Sequence, residues 1–143
     1  MEPQKFELKT QVVDKGRSSL ALPETSRMRI SLKYLESGGE EGLHSHTYED
    51  QTYLVLDGEA TFYNENDVPT VVRRGEGILM PAGCKYRFHK TGDTSAVVLR
   101  IGGTSATGWE HYLDGSGEPL TIDYSRVTWT YKDEHFWTLD RVS

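Results

Sequence analysis

Apolar and polar residues alternate along most of this chain with the period of two that marks a half-buried β-strand. The cleanest run is Arg27 to Leu35, where Met28, Ile30, Leu32 and Tyr34 take one face and Arg29, Ser31 and Lys33 the other. In Gln51 to Leu56, Gln51, Tyr53 and Val55 share a face, and in Glu59 to Tyr63 so do Ala60 and Phe62. Asn64 to Pro69 carries turn chemistry, because Asn and Asp tolerate tight backbone and Pro fixes φ. Thr70 to Arg74 then returns as the second arm of a hairpin. Gly75-Glu76-Gly77 and Pro81-Ala82-Gly83 mark further corners around a short strand, Ile78 to Met80. Tyr86 and Phe88 share a face of the next strand, with His89 opposite, and Ser95 to Ile101 ends the series with Arg100 read as an outward charge in preference to a substrate anchor. No convincing helical period occurs. Many short strands at close spacing predict a closed or two-sheet antiparallel β structure.

The ends are less regular. Lys5 to Lys9, Gln11 to Val13 and Leu20 to Pro23 suggest short strands in an N-terminal arm. After Arg100, Gly102 to Gly108 reads as a connector, Tyr124 to Tyr131 as an added strand, and Asp133 to Trp137 as an aromatic end. All three tryptophans fall in this tail, a weight of aromatic surface that implies packing against something larger.

Composition narrows the function. At 143 residues the chain reads as one domain able to bury a core. A net charge of −6 argues against a nucleic-acid partner, which requires a basic face. No apolar run reaches membrane-spanning length, and Met-Glu-Pro-Gln-Lys does not resemble a signal peptide. The single cysteine, Cys84, excludes an internal disulfide and fits a reducing cytoplasm.

The candidate chemistry begins at His44 and His46. Residues i and i+2 of a strand point to the same side, so both imidazoles converge on one point. Gln51, five residues on, opens the next strand and offers an amide oxygen. Glu49 and Asp50 are adjacent alternatives, but Asp50 has the wrong parity with Tyr53 and misses the spacing to Gly58 by one. His-x-His with a polar group on the next strand suits a divalent ion inside a β-barrel.

Two stretches, Gly38 to Gly58 and Gly75 to Lys90, together resemble the cupin superfamily. Gly38, His44, His46 and Gly58 fall on the first cupin motif, whose Glu position is Gln51 here. Gly75, Pro81 and Gly83 fall on the second, whose His position is Tyr86 and whose Asn position is Lys90. The resemblance covers roughly residues 27 to 103. It implies an all-β, cupin-type double-stranded β-helix, or jelly-roll barrel, as a single domain over 1–143. The core would be 27–103, flanked by an N-terminal arm (1–26) and a C-terminal extension (104–143) that adds a strand or an aromatic tail. By analogy the arm pairs with a second subunit in a homodimer.

The resemblance also implies one divalent metal ion (Zn, Mn, Fe, Ni or Co), held by His44, His46 and Gln51. Tyr86 would be a fourth ligand or a catalytic proton donor or base, with Tyr53 and Phe88 beside the substrate. Gln in place of Glu removes a negative charge and leaves the cation more electrophilic, which favours Lewis-acid chemistry on a carbonyl or enol oxygen. A Gln at this place is found in small cupins acting on unsaturated uronate sugars, and similarity to cupins that cyclise polyketides keeps that class open. The expected function is therefore metal-dependent lyase, isomerase or cyclase chemistry on a small organic molecule. An iron-dependent dioxygenase and a non-catalytic ligand-binding cupin are the alternatives. His89 has the wrong parity to reach the site, and His111 or His135 reaches it only if the tail folds over the barrel mouth.

Overall fold

A computed structural model describes residues 2–38, 42–104, 112–119 and 130–141. Its twelve strands are β1 (Lys9–Lys15), β2 (Arg17–Ala21), β3 (Met28–Leu35), β4 (His44–His46), β5 (Asp50–Asp57), β6 (Glu59–Asn64), β7 (Pro69–Arg73), β8 (Gly77–Met80), β9 (Tyr86–Thr91), β10 (Ala96–Gly103), β11 (Tyr112–Asp114) and β12 (Thr130–Thr138). They form two five-stranded sheets, ordered β2-β3-β10-β5-β8 and β11-β4-β9-β6-β7, and a two-stranded ribbon of β1 and β12. All named strand pairs are antiparallel. The architecture is all-β, as the alternation predicts.

One core fills the space between the two larger sheets. Leu35, Tyr53, Val55, Met80, Ala96 and Val98 come from one sheet; Ala60, Phe62, Val72, Tyr86 and Phe88 come from the other. Turn chemistry holds the strands in register. Gly58, between β5 and β6, has φ +71°, and a Cβ there would overlap the Ser95 carbonyl oxygen. Only glycine meets both demands. Asn64 receives the amides of Asn66 and Val68 on its side chain, closing the β6–β7 turn.

A second core lies on the other side of the first sheet, where Leu32, Tyr34 and Val97 pack with Val12, Val13, Leu22 and Trp137. The alternation of β3 is therefore real, but its apolar stripe faces the ribbon. Cross-strand partners share a face, and Leu32 pairs with Leu99 and Tyr34 with Val97, whereas Ser31 pairs with Arg100. The opposite parity of β10, Ala96, Val98 and Arg100, faces the barrel interior. This corrects the outward reading of Arg100, which is 7% exposed.

The arm finds its partners within the chain. β2 pairs with β3, and β1 with β12. The added C-terminal strand is described from Thr130 to Thr138 and extends past Tyr131, where the predicted 124–131 span ends. Residues 124–129 of that prediction, Trp109 and Trp129 lie outside the described residues. Trp137 shows what the described part of the tail packs on: its ring is buried in the second core and its Nε1–H donates to Asp57 Oδ2 at 3.0 Å.

Candidate metal centre

β4 lies between β11 and β9, with His44 directly opposite Tyr86. The i, i+2 rule puts both imidazoles on one side, and both are buried, with ring centroids 5.2 Å apart. The Tyr86 ring stands 4.4 Å from that of His44. β5, in the opposite sheet, brings Gln51 to the same place.

The Tyr86 hydroxyl is where these groups meet. It donates to Gln51 Oε1 at 2.7 Å, and its oxygen lies 3.3 Å from His46 Nε2 and 3.0 Å from the Tyr53 hydroxyl. Gln51, Tyr53 and Tyr86 are each no more than 3% exposed, so these polar contacts act in a medium where water competes little. Tyr53 thus lies behind Tyr86 as its hydrogen-bond partner. Phe88 stacks on Phe62 at 4.8 Å, and its ring centroid is 5.0 Å from that of Tyr53. It is 1% exposed and belongs to the packed core.

The donor set suits a divalent cation. His44 Nδ1 is 2.8 Å from the Gly42 carbonyl; a proton there leaves Nε2 as the ligating atom. Donor atoms on one tetrahedral ion bound at about 2.1 Å lie about 3.4 Å apart, close to the 3.3 Å between His46 Nε2 and the Tyr86 oxygen. The Tyr86–Gln51 separation of 2.7 Å is that of a hydrogen bond, so joint ligation by these two oxygens requires loss of the phenolic proton. Among the described residues, no group of three or more His, Cys, Asp or Glu side chains could hold a metal. The ligands available are therefore imidazole, amide and phenol.

The neighbouring candidates separate clearly. Asp50 is exposed and accepts the Ala82 amide at 2.8 Å. With the Gly83 amide bonded to the His46 carbonyl at 2.7 Å, this pins the Pro81–Gly83 corner beside the site. His89 stacks on Tyr63, away from the Phe62–Phe88 face. His135 is exposed on the ribbon, and His111 lies outside the described residues.

Two residues stand at the site in places the sequence does not assign them: Glu49 reads there only as an alternative to Gln51, and Arg100 by preference as an outward charge. Glu49, 1% exposed, accepts from Arg100 Nη2 at 2.5 Å, and its Oε2 lies 3.8 Å from His46 Nδ1. A signal was present, since Glu49 has the parity of Gln51 and Tyr53. For Arg100 there was none: both faces of β10 are apolar, and nothing local says which one is interior.

Two sandwiched antiparallel sheets with a His pair and facing polar groups in the interior define a double-stranded β-helix protein with a candidate metal site. Comparison with known proteins agrees: residues 31–102 match the Cupin domain family, and the chain belongs to the cupin superfamily. Among solved structures, a double-stranded β-helix protein of Klebsiella pneumoniae superimposes with a TM-score of 0.62 at 16% identity, covering 72% of this chain and 82% of that one. A cupin superfamily protein of Desulfitobacterium hafniense gives 0.59 at 22% identity, covering 67% and 84%. A chain from structures of the DMSP lyases RdDddP and RnDddQII gives 0.54 at 20% identity, covering 62% and 48%. Protein SchB of Streptomyces halstedii is 37% identical over 60 residues. That match spans 41% of this chain and 43% of SchB, less than half of the relative's length. Among the described residues, no helix is long and apolar enough to cross a membrane.

Proposed function

We propose that this cupin is a metal-dependent enzyme acting on a small organic molecule by lyase, isomerase or cyclase chemistry. The observation that carries the reading is the convergence of the Tyr86 hydroxyl, Gln51 Oε1 and His46 Nε2 in a buried site, with His44 beside them. His44, His46 and Gln51 would hold the ion, and Tyr53 and Phe88 would shape the wall behind it. A divalent cation there supplies Lewis-acid polarisation of a substrate carbonyl or enol oxygen.

Tyr86 is the proton carrier. Its hydroxyl already donates to Gln51, and the Tyr53 hydroxyl at 3.0 Å offers a second partner. A phenol so placed donates a proton to substrate, or accepts one once ionised beside a cation. The DMSP lyase neighbour is an instance of lyase chemistry on this fold.

A second reading, a cupin that binds a small ligand without catalysis, has one observation in its favour. The Tyr86–Gln51 hydrogen bond satisfies both groups without an ion. Elemental analysis of the wild type and a His44→Ala, His46→Ala protein separates the two. The enzyme reading expects about one equivalent of a divalent metal, lost in the double variant. Equal absence in both, after reconstitution with Zn²⁺, Mn²⁺, Fe²⁺, Ni²⁺ and Co²⁺, leaves the binding reading.

A further inference from the structure

Glu49 is a buried carboxylate with no ligating role in the site above. Its Oε1 accepts from Arg100 Nη2, whereas Oε2, 3.8 Å from His46 Nδ1, has no hydrogen-bond partner among the described residues. Burying a carboxylate is costly unless charge compensates it. Arg100 supplies part of that compensation, and the edge of His46 remote from Tyr86 faces the rest.

The backbone makes room for this arrangement. Gly102 lies opposite Gln51 in the β5–β10 register, and a Cβ on it would overlap Glu49 Oε1 and crowd the carboxyl carbon. Two residues of β10 therefore hold the Glu49 carboxylate, which comes from the β4–β5 connection, behind His46: Arg100 by anchoring it, and Gly102 by having no side chain.

We propose that Glu49 is a positioning residue for His46: it draws the imidazole proton to Nδ1, which leaves the Nε2 lone pair for a cation in the site. An imidazole whose outer nitrogen faces a carboxylate has its tautomer and ring orientation set, and is the better ligand for it. This deepens the metal reading and rests on it only for its effect on affinity; the tautomer itself is a property of the metal-free protein.

The test uses the full chain as wild type, Glu49→Gln and Gly102→Ala, with circular dichroism to verify that each folds. Long-range ¹H–¹⁵N NMR of the metal-free protein reads the His46 tautomer, and chelator competition reads Co²⁺ affinity. The expected results are an Nδ1-protonated His46 in the wild type, loss of that preference in both variants, and Co²⁺ binding weakened about 10- to 100-fold in both. Glu49→Gln keeps the side chain's size, so it remains informative if Gly102→Ala does not fold. An Nε2-protonated His46 in the wild type overturns the proposal. So does Co²⁺ binding unchanged by Glu49→Gln when His44→Ala, His46→Ala abolishes it. If even the wild type binds no Co²⁺, the metal reading fails, and the tautomer alone decides the role of Glu49.

Discussion

The Tyr86 hydroxyl donates to Gln51 Oε1 across 2.7 Å, joining β9 of one sheet to β5 of the other through the barrel interior. At these two positions the chain departs from the cupin motifs, with Gln for Glu and Tyr for His. The two departures compensate each other. An amide oxygen accepts what a phenol donates, so the pair is satisfied before any ligand arrives.

Tyr86→Phe should test both roles of that hydroxyl. Removing it strips Gln51 Oε1 of a buried donor and the Tyr53 hydroxyl of a partner, which should cost about 1–3 kcal/mol in denaturant unfolding. If Tyr86 carries the proton, turnover should fall about 10²- to 10⁴-fold once a substrate is in hand. Retention of turnover would remove Tyr86 from the chemistry.

The Glu49–Arg100 pair makes a double-mutant prediction. Arg100→Met alone leaves a carboxylate buried at 1% exposure and should destabilise the fold by about 3–5 kcal/mol. Arg100→Met with Glu49→Leu removes both charges and should recover most of that loss. Additive losses in chemical denaturation would show that the two groups do not act as a pair.

At the ribbon, Trp137→Phe keeps most of the buried ring but loses the Nε1–H bond to Asp57. A cost of about 1 kcal/mol is expected, against about 3–5 kcal/mol for Trp137→Ala. Similar small losses in both would mean that β1 and β12 contribute little to the stability of the barrel.

Asp114 gives the pH dependence. The Ser116 hydroxyl, and then the Glu118 amide, hold its carboxyl below the ordinary value of 3.8. A depressed folded pKa means that the turn is stabilised above that value and loses this support as pH falls through the lower, folded one. Amide exchange at Ser116 and Glu118, which donate to Asp114 Oδ1 at 2.9 and 3.0 Å, should therefore accelerate only below about pH 3.8. Asp114→Asn should abolish that acid step. Acceleration already present near neutral pH would assign it to another group.

Gly58→Ala should be among the most damaging single-methyl additions in the chain, since it meets both a left-handed φ and the Ser95 carbonyl. A loss of more than about 2 kcal/mol is expected in thermal or denaturant unfolding. Near-wild-type stability would mean that the β5–β6 turn can move away from β10.

What the sequence determined by itself is what depends on neighbours along the chain. Period-two alternation marked the strands, Gly58 and Pro81 to Gly83 marked the corners, and the single-residue spacing of His44 and His46 placed both rings on one side. The same parity separated Gln51 from Asp50. Tertiary structure decided the rest, because a strand has two faces and local pattern cannot say what covers each. In β10 both faces are covered, one by the barrel core and one by the core beneath the β1–β12 ribbon. A charged residue on such a strand therefore carries no outward signal. Arg100 is interior because Glu49, 51 residues earlier, reaches it where Gly102 leaves space. The ribbon is the same case at longer range: β1 and β12 form the two ends of the described chain, and only their pairing shows that the arm and the tail close the second core together.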